Sequence, residues 1–166
     1  MPEEKSLDRW LVEAGQRTAP MPEVIATPRD AATVVLVRDG VSGLEVFLLR
    51  RVAEMAFAAG MTVFPGGGVD AADDTDVDWA GPGPSWWADR FGTDPVAARM
   101  LVVAAVRETF EECGVLLATG GDGLVPSPGE VAADRDALVA KELSFGGLMR
   151  RRALTLRADW LAPLAH

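Results

Sequence analysis

Residues 107–115, which decide the fold of this chain, read Arg-Glu-Thr-Phe-Glu-Glu-Cys-Gly-Val. In a helix, which turns by about 100° per residue, Glu108 and Glu112 project close together and Glu111 lies beside them. The opposite face carries apolar side chains, namely Val102, Val103, Val106 and Phe110. The stretch therefore predicts a helix with one acidic face and one face in the core.

The acidic face needs compensation, because like charges on one helix face repel each other. Only Arg107 lies near the three glutamates, whereas a purely structural helix would interleave more basic residues at helical spacing. A divalent cation such as Mg²⁺ prefers carboxylate oxygens and keeps water molecules that a phosphate can displace. The face is therefore a candidate metal site, and the alternative for a generic acidic cluster is a solvated surface.

Upstream, residues 64–68 read Phe-Pro-Gly-Gly-Gly and are the expected partner of the acidic helix. A short strand over residues 61–64 is predicted to run into Pro65. The glycines permit positive φ angles and close backbone approach, so we expect a loop here, with a tight turn as the simplest interpretation.

Residues 107–115 resemble the end of the Nudix signature, Arg-Glu-apolar-x-Glu-Glu-x-Gly-apolar, with Thr109 in the usual apolar place. Gly67 matches the glycine that begins the family pattern, and Asp73 stands where the family has a glutamate. Gly67 and Arg107 are 40 positions apart. About 26 residues are thus inserted relative to the family pattern, which is tolerable because the entropy cost of closing a loop grows slowly with its length.

The resemblance covers residues 31–166 and implies an α/β fold, the α/β/α sandwich of Nudix hydrolases with its mixed sheet. It also implies metal-dependent attack of water on a pyrophosphate that is linked to a nucleoside moiety. By this resemblance the chain is an enzyme, a pyrophosphohydrolase that uses Mg²⁺ or Mn²⁺, and its partner is a small nucleoside diphosphate derivative.

Roles for individual residues follow from the same resemblance. Glu108, Glu111 and Glu112 would hold the metal, together with the backbone carbonyl of Gly67. Arg107 would orient these carboxylates, and Asp73, in the place of the family's acid, would orient Arg107. The identity of the general base stays open. The substrate-binding candidates are Arg51, Gly66 and Gly67.

Within the family, the long insertion between the glycines and the helix is most similar to the acyl-coenzyme A diphosphatase branch. Coenzyme A would be cleaved to 3′,5′-ADP and 4′-phosphopantetheine. Related coenzyme A hydrolases carry two spaced arginines and a glycine before the Phe-Pro-Gly-Gly motif. This chain has Arg51 and Gly60, but Ala56 replaces the second arginine. ADP-ribose or a dinucleotide is the alternative substrate, and an inactive binding module is the alternative to an enzyme.

The composition is that of one acidic domain of 166 residues with a formal charge of −9. This charge disfavours nonspecific binding to nucleic acids and anionic membranes. The single cysteine, Cys113, cannot form an internal disulfide, and no signal peptide or long apolar span is visible. We therefore expect a cytoplasmic protein without nucleic-acid or membrane partners.

The chain order predicts an N-terminal arm over residues 1–29, with a short helix at 7–14, and a Nudix domain over 30–166. Strands are predicted at 32–37 and 44–49, joined by a hairpin connection at 38–43 that contains Asp-Gly. Arg50 and Arg51 at the end of the second strand are equally compatible with edge charges and with phosphate contacts.

The insertion, about residues 74–98, is expected to contain a short helix capped by Ser85. Its Trp86 and Trp87 are predicted to seal a loop over the core, with stacking on a base as the alternative. Asp94 and Pro95 then open the long helix, which should end at Cys113.

After Gly114, a capping box at residues 127–130 predicts a helix to about residue 143, and Ser144 begins another. Arginines 150–152 at its end are interpreted as a solvated, structurally useful face whose positive charge complements the helix dipole, with an anion contact as the alternative. Residues 160–166 are expected to approach a further strand, and the terminal His166 is not assigned to chemistry. In the family, further strands and a final helix follow the signature helix, and the rest of this chain is too short to supply them all. We therefore expect incomplete C-terminal elements, from a truncated chain, from a fragment or from a homodimer whose second chain completes the sheet.

Overall fold

The structure, a computed structural model, describes residues 27–50 and 61–164. Several sequence-based assignments lie outside these residues: the N-terminal arm up to residue 26 with its helix at 7–14, the substrate candidate Arg51, the positions of Ala56 and Gly60, and His166. The fold is of the mixed α/β class, as the sequence predicts. Within the described residues, no helix combines the length and the apolar character that crossing a bilayer requires.

The first six strands form three antiparallel pairs. Their bounds are β1 Ala31–Thr33, β2 Val37–Gly40, β3 Gly43–Val46, β4 Leu49–Arg50, β5 Thr62–Val63 and β6 Gly66–Gly68. The strand β1 pairs with β6, β2 with β3, and β4 with β5. In the described part of the chain, the strands are thus divided among several small sheets, of which the last is mixed.

The mixed sheet contains β7 (Asp78–Ala80), β8 (Ala118–Thr119) and β9 (Thr155–Arg157). The central strand β9 runs parallel to β7 and antiparallel to β8. The sequence did not predict β9, and residues 160–164, where the approach to a strand was expected, follow it without regular strand structure. Instead, Trp160 ends a short 3₁₀ helix, Ala158–Trp160.

The predicted strand at residues 32–37 is wrong in length, because the chain changes hydrogen-bonding partner in its middle. The backbone N–H of Val34 donates to the carbonyl of Pro65 at 2.8 Å, whereas the carbonyl of Leu36 accepts from the N–H of Phe47 at 2.9 Å. The segment therefore divides into β1 and β2, and the predicted second strand likewise divides into β3 and β4.

The predicted hairpin forms, but its connection is shorter than expected. Gly40 pairs with Gly43, so Val41 and Ser42 alone make the turn. The Asp-Gly dipeptide lies at the end of β2 and not inside the turn. Gly43 supplies the unusual backbone conformation instead, with φ of +126°.

The helix α1 (Pro84–Phe91) lies in the insertion, and Gly83 is its N-cap residue in place of the predicted Ser85. Proline suits the first helical position because it has no N–H that would need a partner, so the helix begins before Ser85. Trp87 is 2% exposed and belongs to the core cluster. Trp86 packs against that cluster with partial burial, so the insertion is sealed onto the core as predicted.

The long helix α2 (Pro95–Cys113) has the bounds that the sequence predicts. The side chain of Asp94 accepts the N–H groups of Val96 and Ala97 at 2.9 and 3.0 Å. Gly114 ends the helix with φ of +71°. The predicted core face is confirmed, since its four apolar side chains are at most 3% exposed: Val102, Val103, Val106 and Phe110.

The helix α3 (Pro128–Val139) has the predicted capping box, but it ends before residue 143. Lys141 adopts a positive φ of 60°, which a continuing right-handed helix does not allow. The helix α4 (Phe145–Arg151) begins after Ser144 as predicted. Arg151 and Arg152 both form ion pairs with Asp134 of α3, which supports their structural interpretation.

Candidate active site

A buried ion pair between Asp73 and Arg107 anchors the candidate site. Nε of Arg107 donates to Oδ1 of Asp73 at 2.8 Å, and Nη2 donates to Oδ2 at 2.9 Å. The side chains are 6% and 1% exposed. Asp73 ends a 3₁₀ helix, Ala71–Asp73, and its carboxylate also accepts the N–H of Asp70 at 2.8 Å. This turn holds Asp73 close to α2, so that the shorter side chain reaches the arginine, and the expected contact is confirmed.

Arg107 also contacts two of the three glutamates. Its Nη1 donates to Oε1 of Glu108 at 2.7 Å and to Oε1 of Glu111 at 3.1 Å. Burial alone lowers the pKa of Arg107, but the hydrogen bonds and charge of Asp73, followed by the bonds to Glu108 and Glu111, raise it above its ordinary value. Arg107 therefore stays protonated and holds three carboxylates in fixed places.

The three glycines form the strand β6 and not the expected loop, because they pair with β1. A Cβ on Gly66 would meet the backbone of Ala32 and Thr33, so only glycine permits this close approach. The N–H of Gly66 donates to Oε2 of Glu112 at 2.8 Å. The carbonyl of Gly68 accepts Nη2 of Arg107 at 2.9 Å.

Gly67 makes room for Glu108. A Cβ on Gly67 would lie 2.5 Å from Cδ and Oε1 of Glu108, which is far inside van der Waals contact. Any side chain at position 67 would therefore push the Glu108 carboxylate away. The backbone of β6 thus contacts Glu112 and Arg107, and leaves space for Glu108.

The acidic face is electrostatically suited to a cation. Three carboxylates, those of Asp73, Glu108 and Glu111, share the guanidinium of Arg107, and the carboxylate of Glu112 instead accepts the N–H of Gly66. Glu108 and Glu111 are 14% and 12% exposed, and Glu112 lies at the surface. Lys141 approaches Oε2 of Glu111 at 3.7 Å.

Across residues 27–50 and 61–164, no three acidic, histidine or cysteine side chains are gathered closely enough to hold an ion. Glu108 and Glu111 instead bind Arg107, while Glu112 binds Gly66. Carboxylate oxygens are the ligands that a hard divalent cation prefers, so these side chains would have to exchange their present partners in order to hold one.

Thr109 shows how a polar residue fills the usual apolar place of the signature. It is 0% exposed, and its hydroxyl donates to the carbonyl of Ala105 at 2.8 Å. The hydroxyl is therefore satisfied within the helix, and the methyl group can pack in the core.

Sequence analysis missed two basic residues near the acidic helix, Arg135 and Lys141. Arg135 of α3 contacts the last carbonyls of α2, and Lys141 approaches Glu111. Arg135 lies within α3 and Lys141 follows that helix, so both are at least 20 residues beyond the end of the signature at Val115. The one available signal is that α2 has no basic residue in its last turn, which indicates that a cation must come from elsewhere.

No family model matches the chain. Among solved structures, the chain is similar to the crystal structure of a NUDIX hydrolase from Alicyclobacillus acidocaldarius, with a TM-score of 0.52 and 28% sequence identity. The match covers 81% of this chain and 59% of that chain, so this chain spans about three fifths of the length of that hydrolase. The structural match thus supports the Nudix family for this chain, in agreement with the signature at residues 107–115.

Proposed function

We propose that this protein is a metal-dependent Nudix pyrophosphohydrolase that cleaves the diphosphate linkage of a nucleoside diphosphate derivative. The observation that carries this proposal is the contact between β6 and the acidic face of α2, where Gly66 binds Glu112 and Gly67 leaves room for Glu108. A solvated acidic face would not need glycines at matching places on a neighbouring strand.

The residues proposed to hold Mg²⁺ or Mn²⁺ are Glu108, Glu111 and Glu112, together with the carbonyl of Gly67. When bound, the metal neutralises negative charge on the diphosphate and lowers the pKa of a water molecule. Arg107 keeps Glu108 and Glu111 in place, and Asp73 keeps Arg107 in place. Hydrolysis consumes one water and divides the diphosphate into two phosphate monoesters.

Coenzyme A or an acyl-coenzyme A is the proposed substrate, with 3′,5′-ADP and 4′-phosphopantetheine, or its acylated form, as products. The support is the long insertion, which resembles that of the acyl-coenzyme A diphosphatases. In the structure this insertion carries β7 and α1, and Trp87 joins it to the core. Arg51 is proposed to contact a phosphate of the substrate. ADP-ribose and dinucleotides are the competing substrates.

The test is a substrate panel with products identified by mass. Purified protein is incubated with Mg²⁺ or Mn²⁺ and with coenzyme A, acetyl-coenzyme A, ADP-ribose or NADH. We expect metal-dependent products from the two coenzyme A compounds. If only ADP-ribose or NADH gave products, coenzyme A would be wrong as the proposed substrate. If no compound were hydrolysed, the protein would be better explained as a binding module.

Two variants connect any turnover to the site. Glu112→Gln is expected to abolish it while the protein stays folded, because the amide keeps the shape of the side chain and loses its charge. The matched control is Glu45→Gln, since Glu45 lies on the exposed hairpin and pairs with Arg38. Equal turnover in both variants would contradict the assignment.

A further inference from the structure

Arg135 of α3 covers the C-terminal end of the acidic helix α2. Its Nε donates to the carbonyls of Phe110 and Glu111, both at 3.0 Å. Its Nη2 donates to the carbonyls of Glu111 at 2.7 Å and Glu112 at 3.2 Å. One guanidinium thus binds three consecutive carbonyls across 23 to 25 residues of sequence.

The end of α2 needs such a cation for two reasons. The last carbonyls of a helix lack partners within the helix, and the helix dipole places partial negative charge there. The last turn of α2 contains Glu111 and Glu112 and no basic residue, so two carboxylates lie at the end of the helix where negative charge is least favourable. Arg135 supplies the missing positive charge from the neighbouring helix.

The same carbonyls belong to residues whose side chains form the acidic face. Glu111 reaches back to Arg107, and Glu112 reaches across to the N–H of Gly66 at 2.8 Å. Both side chains leave the last turn of α2, so their positions depend on the backbone that Arg135 holds. A rotation or fraying of this turn would separate Glu112 from Gly66.

We propose that Arg135 is a positioning residue for the acidic face: by binding the backbone of the last turn of α2, it holds Glu111 and Glu112 in place against Arg107 and Gly66. This inference rests on the proposed function only in that these glutamates are the proposed metal ligands. The hydrogen bond between Gly66 and Glu112 provides a readout that needs neither metal nor substrate.

Three variants separate positioning from general stabilisation. Arg135→Met keeps an unbranched chain of similar length and removes the donors. Arg135→Lys keeps the charge, but a single ammonium cannot reproduce the planar fork of a guanidinium. The matched control is Arg90→Met, because Arg90 also donates to a helix carbonyl, that of Trp86 at 3.1 Å, and this bond stays within α1.

The primary measurement is hydrogen exchange of the Gly66 amide by NMR in metal-free protein. In Arg135→Met we expect exchange that is roughly threefold to tenfold faster than in the wild type, as loss of one hydrogen bond predicts. Arg135→Lys should be intermediate, and Arg90→Met should match the wild type. If Arg135→Met does not fold, Arg135→Lys decides by the same readout.

The second measurement is the affinity for Mn²⁺ by electron paramagnetic resonance of the free ion. Arg135→Met should bind roughly tenfold more weakly than the wild type, as is typical when an outer partner of metal ligands is removed. Unchanged exchange at Gly66 in the folded Arg135 variants would overturn the inference. If the wild type itself did not bind Mn²⁺, the proposed function would fail, while the exchange at Gly66 would still decide the role of Arg135.

Discussion

Gly66 and Glu112, 46 residues apart in sequence, are joined by a hydrogen bond of 2.8 Å from a backbone N–H to a carboxylate. This bond links the glycine strand to the last turn of the acidic helix. Together with the bond between Gly68 and Arg107, it fixes the strand and the helix against each other.

The first prediction concerns Gly67, whose missing side chain leaves space for the Glu108 carboxylate. Gly67→Ala should displace the Glu108 carboxylate, because the new Cβ would lie 2.5 Å from it. The displaced carboxylate would lose its hydrogen bond to Arg107, so we expect a loss of stability of about 0.5–1.5 kcal/mol and weaker binding of Mn²⁺. Urea denaturation measures the first effect. The control is Gly68→Ala, whose Cβ would meet open space and which should change stability by less than about 0.5 kcal/mol. Equal losses of stability in the two variants would show that the Glu108 carboxylate does not depend on a glycine at position 67.

The second prediction concerns the buried ion pair between Asp73 and Arg107. Asp73→Asn removes one charge from a pair whose side chains are 6% and 1% exposed. Breaking such a pair should cost on the order of 3 kcal/mol in the free energy of unfolding. Glu45→Gln, which breaks the exposed pair with Arg38, should cost less than about 1 kcal/mol. Chemical denaturation of both variants makes the comparison, and similar costs would argue against the anchoring role of Asp73.

The third prediction concerns the packing of the insertion onto the core through Trp87. Trp87 is 2% exposed, and its indole N–H donates to the carbonyl of Pro82 at 3.0 Å. Trp87→Ala should therefore cost about 3–5 kcal/mol, as for other buried aromatic side chains. Trp86→Ala should cost clearly less, because Trp86 is only partly buried. If thermal unfolding showed no difference between the variants, the insertion would not be part of the core.

The capping box of α3 gives a prediction about pH. The hydroxyl and N–H of Ser127 donate to Glu130 at 2.6 and 2.7 Å. The hydrogen bond from the Ser127 side chain, followed by that from its backbone, lowers the pKa of Glu130 in the folded protein. A carboxyl with a lowered pKa stabilises the fold above its unfolded pKa, and this contribution is lost as the pH falls through the folded value.

The stability difference between wild type and Glu130→Gln should thus be largest near neutral pH and should shrink below about pH 4.5, the ordinary pKa of the group. Melting temperatures measured between pH 7 and pH 3 test this. A difference that stays constant down to pH 3 would mean that the carboxylate does not form the cap.

Local signals in the sequence were sufficient for both ends of α2 and for the starts of α3 and α4, but not for the start of α1 or the end of α3. Asp94 and Gly114 mark both ends of α2, and Ser144 marks the start of α4, because caps and left-handed glycines act within a few residues. The acidic and apolar faces of α2 could be predicted because side chains in a helix rotate by about 100° per residue. The contact between Asp73 and Arg107 was anticipated only through the resemblance to the Nudix signature.

The strands and the distant contacts could not be predicted in the same way. The glycines of β6 look like a loop until their partner, Ala31–Thr33, is known. The choice of Arg135 as the cation at the end of α2 depends on how α3 packs, and no spacing in the sequence encodes it. In both cases the deciding interaction joins segments that are far apart in the chain.

The most direct test of the central claim is a Mn²⁺ titration followed by electron paramagnetic resonance, in wild type, Glu112→Gln and Glu45→Gln. We predict that the wild type and Glu45→Gln bind the ion with equal affinity, and that Glu112→Gln binds at least about tenfold more weakly. Equal binding in all three proteins, or none in the wild type, would contradict the claim that the acidic face of α2 holds the metal.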